Sequence, residues 1–139
     1  MTTSNEFENF VYEVCKELGT PRAIVVHGNK TYHGRVSRRK ISVDVSFDAQ
    51  LLGAHILGLV ECKCYKSRVG VSDVEEFHSK SDDIGAHKGI MFTTVGYQAS
   101  AKKAAKGRGI ALFMLREGQE PGEIRIERKS ADRPLYLNF

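Results

Sequence analysis

With 139 residues, the chain has the length of one domain and can bury roughly two thirds of its unfolded surface. Its 41% hydrophobic and 27% charged residues exclude wholesale disorder, and no apolar run approaches the ~18 residues of a membrane span. The polar start Met1–Glu6 reads against a secretory leader, and three cysteines, Cys15, Cys62 and Cys64, are too few for a disulfide framework, so a cytoplasmic protein is expected.

Phe7, Phe10, Val11, Val14, Cys15 and Leu18 recur at helical spacing, with Ser4 or Asn5 as cap and Gly19 before Pro21 as stop. Ala23–His27 is a short β-prone run, and His27–Lys40 reads as a loop or hairpin arm. Ile41, Val43, Val45 and Phe47 alternate with Ser42, Asp44, Ser46 and Asp48, the pattern of one half-buried strand. Ile56–Cys64 follows as a second strand, antiparallel to it through a turn at Gly53. Ser72 with Glu75 predicts a capping box for a helix ending near Ile84. Gly89–Thr94, Tyr97–Lys106 and Ile110–Leu115 then read as strand, helix and strand, which calls for parallel pairing through right-handed crossovers. Glu123–Lys129 alternates like an edge strand. The expected architecture is a single α/β domain over residues 1–139, a mixed central sheet with helices on both faces.

The net charge of +4 is mildly basic, but its distribution is segregated. Residues 21–43 carry Arg22, Lys30, Arg35, Arg38, Arg39 and Lys40, and residues 84–116 carry Lys88, Lys102, Lys103, Lys106, Arg108 and Arg116, with no acid in either segment. Such segregation suits a surface that displaces counterions from a polyanion, and it equally describes a solvated face.

Glu61-Cys62-Lys63 ends the second long strand. Strand alternation sends Glu61 and Lys63 to the face of Leu57 and Leu59, and Cys62 and Cys64 to the other. If the strands pair, Asp44 and Glu61 converge, and two carboxylates are the donors that Mg²⁺ favours, with Lys63 beside them to stabilise charge on a phosphate. A plain salt bridge with a solvated Asp44 is the structural alternative. On the first helix only Glu8 sits at the edge of the apolar stripe. It either looks toward the sheet or, at the third helical position, caps Asn5. Cys62 and Cys64 lack further zinc ligands in a credible arrangement, and packing is the expected role of Cys62; His78 reads as a satisfied semi-buried histidine. No P-loop, dinucleotide fingerprint or Ser/His/Asp spacing is present.

The ordered series Val60-Glu-Cys-Lys-Cys-Tyr-Lys66, Val69-Gly-Val-Ser-Asp-Val-Glu-Glu-Phe77, Gly89-Ile-Met-Phe-Thr-Thr-Val-Gly-Tyr97 and Ala105-Lys-Gly-Arg-Gly-Ile-Ala-Leu-Phe113 resembles the Mrr-like catalytic domain of the PD-(D/E)xK restriction-endonuclease-like superfamily. The resemblance runs from the Phe7-Glu8 helix to about Phe113. It implies a metal-dependent DNA endonuclease using Mg²⁺, with Mn²⁺ as substitute. Asp44 and Glu61 are then metal ligands together with Glu8 and the backbone carbonyl of Cys62, and Lys63 is the catalytic lysine. Typical members often carry glutamine where this chain has Glu61, and they attach a DNA-recognition domain, which is not expected here. Arg35, Arg38, Arg39, Lys66, Arg68, Lys102 and Lys103 are the expected phosphate contacts, with DNA as partner. A junction resolvase acting as a homodimer, a nuclease targeted by a protein partner, and a non-catalytic nucleic-acid-binding module are the alternatives.

Overall fold

The computed structural model describes residues 3–19, 24–64, 66–117 and 124–129. The first apolar stripe forms α1 (Ser4–Gly19). Its cap is Thr3, whose Oγ1 accepts the Glu6 N–H at 3.1 Å, so neither Ser4 nor Asn5 caps the helix and Glu8 does not sit at the third helical position. Pro21, Arg22, Ala23 and Glu123, which figured in the sequence reading, lie outside the described residues.

Five strands come next: β1 (Val25–His27), β2 (Lys30–His33), β3 (Lys40–Val43), β4 (Val45–Leu51) and β5 (Ala54–Lys63). The expected strand from Ile41 to Asp48 is therefore two strands, interrupted at Asp44. β3 pairs with β2 in a hairpin of its own, while β4 joins the main sheet. Val43 and Val45 are both buried, which preserves the sequence alternation, yet they belong to opposite sides of the sheet. The hairpin between β4 and β5 turns at Leu52 and Gly53, both with positive φ, 50° and 80°.

The chain then alternates as expected: α2 (Val71–Ile84), β6 (Lys88–Thr93), α3 (Ala99–Arg108), β7 (Ile110–Glu117) and β8 (Ile124–Arg128). The cap of α2 is Gly70 rather than Ser72; Asp73 Oδ2 accepts the Gly70 N–H at 3.1 Å and performs the reciprocal half of a capping box. Tyr97 precedes α3 instead of starting it, because it pairs with Val69 and its buried hydroxyl donates to the Phe113 carbonyl at 2.8 Å. The sheet order is β1-β4-β5-β6-β7-β8, antiparallel at both edges and parallel across β5, β6 and β7.

Helices cover both faces. α2, α3 and the β2–β3 hairpin pack with Leu59, Met91 and Leu112 on one side. α1 packs with Val45, Val60, Phe92 and Leu115 on the other. Complete burial of Phe7 and Val11 fastens α1 to the sheet, roughly 3–6 kcal/mol for the two side chains. Among the described residues no helix is long and apolar enough to cross a membrane.

Candidate active site

The interruption at Asp44 creates a notch in the sheet. The β4–β5 ladder starts at Val45 opposite Val60, so β5 runs on through Glu61, Cys62 and Lys63 with β6 on one side and no β4 residue on the other. The Cys62 N–H in that stretch donates to Asp44 Oδ2 at 3.0 Å. A side-chain carboxylate thus takes the place of a backbone acceptor, which satisfies the exposed strand edge and holds Asp44 there.

Glu61 and Lys63 share the face of β5 that carries Leu57 and Leu59, while Cys62 and Cys64 pack against the α1 side. Glu61 is buried, at 8% exposure. Two ammonium groups balance its charge: Lys63 Nζ at 3.9 Å from Oε2 and Lys80 Nζ at 3.0 Å from Oε1. Lys80 was not singled out from the sequence, and it makes the tighter of the two ion pairs. Its signal was there to read: it stands three residues after Phe77 and four before Ile84, on the margin of the stripe that α2 buries against the sheet. A lysine in that position must find a carboxylate or leave the interface.

From the opposite face, α1 brings Glu8 to Asp44. Glu8 holds its proton above the ordinary carboxylate range, first because it is desolvated, then because of the charge of Asp44, a hydrogen bond with it, and the charge of Glu61. The site therefore sits where both helical layers meet the sheet edge, acids from α1 and the notch on one side, lysines from β5 and α2 on the other. A cleft of about 510 Å³ opens beside Glu8 and Asp44, with Asn9, Tyr12, His27 and Lys30 also on its walls.

No three His, Cys, Asp or Glu side chains among the described residues are gathered into a ready-made metal cage. The donor chemistry nevertheless fits a hard divalent cation. Glu8 stands close enough to Asp44 for that charge to help raise its pKa, and a cation between them would offset the repulsion, while Glu61 already has an ammonium at each of its two oxygens. Glu8, Asp44 and Glu61 are the residues that could hold such an ion.

The thiols are packing groups. Burial pushes Cys15 up to about 12 and Cys62 higher still, so neither supplies a thiolate at neutral pH. His78 is half-buried on α2, apart from the acid cluster contacts described above. Of the expected basic contacts, Lys66 and Arg68 are exposed just beyond Lys63, and Lys102 and Lys103 are exposed on α3. Arg38 and Arg39 are exposed in the β2–β3 loop. Arg35 lies in the same loop, but its guanidinium is already engaged, donating to the Asp82 carbonyl at 3.1 Å.

A family model described as a restriction endonuclease, Mrr_cat, matches residues 1–117. No curated protein matches the chain. Among solved structures, the protein of unknown function AF1548 is similar with a TM-score of 0.62 at 20% identity, over 77% of this chain and 58% of that one. The DNA modification-dependent restriction endonuclease AspBHI is similar with a TM-score of 0.53 at 17% identity, over 77% of this chain but 27% of its own. At these identities the likeness is one of fold, and the chain spans only part of each of the two proteins.

Proposed function

The chain belongs to the Mrr_cat restriction endonuclease family and is a nuclease-type domain, and from that premise we propose that it hydrolyses phosphodiester bonds of DNA with a divalent cation held by Glu8, Asp44 and Glu61. The observation that carries this reading is the meeting of Asp44 and Glu8 with a buried glutamate that is paired to two lysines. A purely structural salt bridge needs one cation for Glu61, and it gives no reason to press two further carboxylates together nearby.

In this reading Glu8, Asp44 and Glu61 would hold Mg²⁺, or Mn²⁺ as substitute, which when bound would lower the pKa of water and polarise a phosphate. The chain's own residues do the rest. Asp44 and Glu8 gain from a cation because it offsets the burial and the neighbouring negative charge that raise the pKa of Glu8. Lys63 places a positive charge where negative charge grows on the phosphate during hydrolysis, an interaction stronger in the transition state than in the ground state. Lys80 keeps Glu61 ordered at the head of the notch until the site is filled. The backbone carbonyl of Cys62 is a further ligand in this scheme. Arg38, Arg39, Lys66, Arg68, Lys102 and Lys103 bind the DNA, with Arg35 contributing through the loop it anchors.

The test is incubation of the purified protein with linear, supercoiled, branched and single-stranded DNA in Mg²⁺ or Mn²⁺. Cleavage that stops on chelation is the expected result. Binding without cleavage of any substrate under either ion overturns the catalytic reading in favour of a binding module. Preferential cutting of branched DNA by a dimer identifies a resolvase.

A further inference from the structure

The loop joining β2 to β3 is more elaborately fixed than a connection between two short strands requires. Within it, Gly34 N donates to the Arg39 carbonyl at 2.9 Å and Arg38 N to the Gly34 carbonyl at 3.1 Å. From outside, Asp83 at the end of α2 clasps the tip: its carboxylate accepts Val36 N at 2.8 Å, Ser37 N at 3.1 Å and the Ser37 hydroxyl, and its backbone carbonyl accepts Arg35 N at 2.7 Å. Gly34 is buried under this clasp, and a Cβ there would stand 2.2 Å from Asp83 Oδ2. Arg38 adopts the left-handed region at φ 62° to close the turn.

The consequence is a rigid tip whose backbone N–H groups from Arg35 to Arg39 are all spent internally. It has no strand edge to offer a β-strand partner. It displays instead Val36, 86% exposed, with Arg38 and Arg39 exposed in the same turn. One small apolar side chain among arginines matches the DNA minor groove, whose negative potential draws arginine and whose base steps admit an apolar wedge.

Both roots of the tip lead to the acid cluster. β3 runs from Lys40 directly to Asp44, which puts Arg39 about 16 Å from Asp44 at the rise of a strand. Asp83 is one helical turn from Lys80, the partner of Glu61. A duplex with a phosphate at Asp44 thus reaches the tip within about two groove widths. Resting on the nuclease reading, we infer that the Gly34–Arg39 tip is a preformed probe of double-stranded DNA that seats Val36 and Arg38 in the minor groove, with Asp83 as the residue that positions it.

The experiment is fluorescence anisotropy of the full chain, without divalent ions, on a labelled 24-base-pair duplex and on the single strand of the same length. Val36→Ser, at a position too exposed to disturb the fold, should weaken duplex binding about tenfold and leave single-strand binding unchanged. Asp83→Ala should do the same through the loosened tip, with a circular dichroism melt to verify its fold. The minor-groove ligand netropsin should displace the wild type. Duplex binding by Val36→Ser equal to wild type, equal losses on both DNAs, no competition by netropsin, or no duplex binding by the wild type each overturns the proposal. Failure of the nuclease reading appears separately, as absence of cleavage by the wild type with every ion.

Discussion

Glu61 is the residue on which the opposing charges of the site converge, and its two lysines should behave differently when removed. In the proposed mechanism Lys63→Ala removes the charge that meets the phosphate, and it should lower cleavage at least a hundredfold, about 3 kcal/mol, with little change in DNA affinity. Single-turnover cleavage and anisotropy on the same preparation check this, and wild-type cleavage by the variant would refute it. If a cation binds Glu61 as proposed, Lys80 competes with it for the carboxylate, since its ammonium lies 3.0 Å from Oε1 in a partly buried pair. Lys80→Gln should cost about 1–2 kcal/mol in chelator, between the values for exposed and buried pairs, and should tighten Mn²⁺ binding severalfold in a calorimetric titration. Glu8 allows a pH test. Its carboxyl is held above its ordinary value of 4.5, first by burial and then by Asp44 and Glu61. The folded state therefore binds this proton more tightly than the unfolded chain. That contribution is complete below pH 4.5 and is lost as pH rises through the folded value. Glu8→Gln should melt above wild type at pH 7 in EDTA, the gap should close toward pH 4, and Mn²⁺ should stabilise the variant less. A variant that melts lower at pH 7 would show that Glu8 is not under this repulsion.

At the scale of the elements, the notch depends on β4 and β5 keeping one register. Phe47 stands opposite Gly58, and its ring lies across the glycine so closely that an added Cβ would fall 2.0 Å from Cζ. Gly58→Ala should force the ring aside and cost about 1–3 kcal/mol by denaturant titration, the usual penalty of overpacking. An unchanged midpoint would mean that Phe47 repacks freely. The β4–β5 antiparallel pairing, the parallel run from β5 through β7 and the opposed faces of Glu61 and Cys62 were legible from periodicity and strand–helix alternation, because each element buries one face, whereas β2 lay within what reads as a loop or hairpin arm. The break at Asp44 was not. Val43 and Val45 are both apolar and both buried, and period-two alternation reads the same whether they share a core or enter opposite ones. Helix caps were misread for a related reason: Thr3, Ser4 and Asn5 are all competent caps, as are Gly70 and Ser72, and tertiary docking decides among them. The place of Lys80 on the margin of the α2 stripe was legible, but its partner, nineteen residues away in sequence, was not. Local pattern carries no such information.

For the whole molecule, topology puts positive charge where the parallel strands end. β5 and β6 deliver the chain into α2 and α3 at the same edge of the sheet, and the two connections are joined there by Val69 N to the Gly96 carbonyl and Gln98 N to the Val69 carbonyl, both at 2.9 Å. Lys66 and Arg68 lie in the first connection, and Lys102 and Lys103 follow the second within the first turns of α3. Ligands of open α/β sheets bind at such carboxyl edges, so, with the reacting phosphate at Lys63 as proposed, these four cations should meet the backbone of the substrate strand. Contacts of this kind release counterions, and each one contributes about −0.9 to the slope of log affinity against log salt. Lys102→Gln with Lys103→Gln should therefore flatten that slope by about 1.8 and weaken binding at 0.1 M salt by roughly fiftyfold, equally for unrelated sequences. The substituted side chains are exposed, and the cap bonds of α3 are made by backbone groups that glutamine keeps, Lys102 N to the Gln98 carbonyl at 3.1 Å and Gly109 N to the Ala105 and Lys106 carbonyls. Stability should stay within about 0.5 kcal/mol of wild type, which separates lost binding from lost fold. Anisotropy across a salt series on two duplexes of different sequence makes the measurement. A slope equal to that of wild type would place the phosphates elsewhere on the molecule. A loss confined to one sequence would mean that α3 reads bases rather than the backbone.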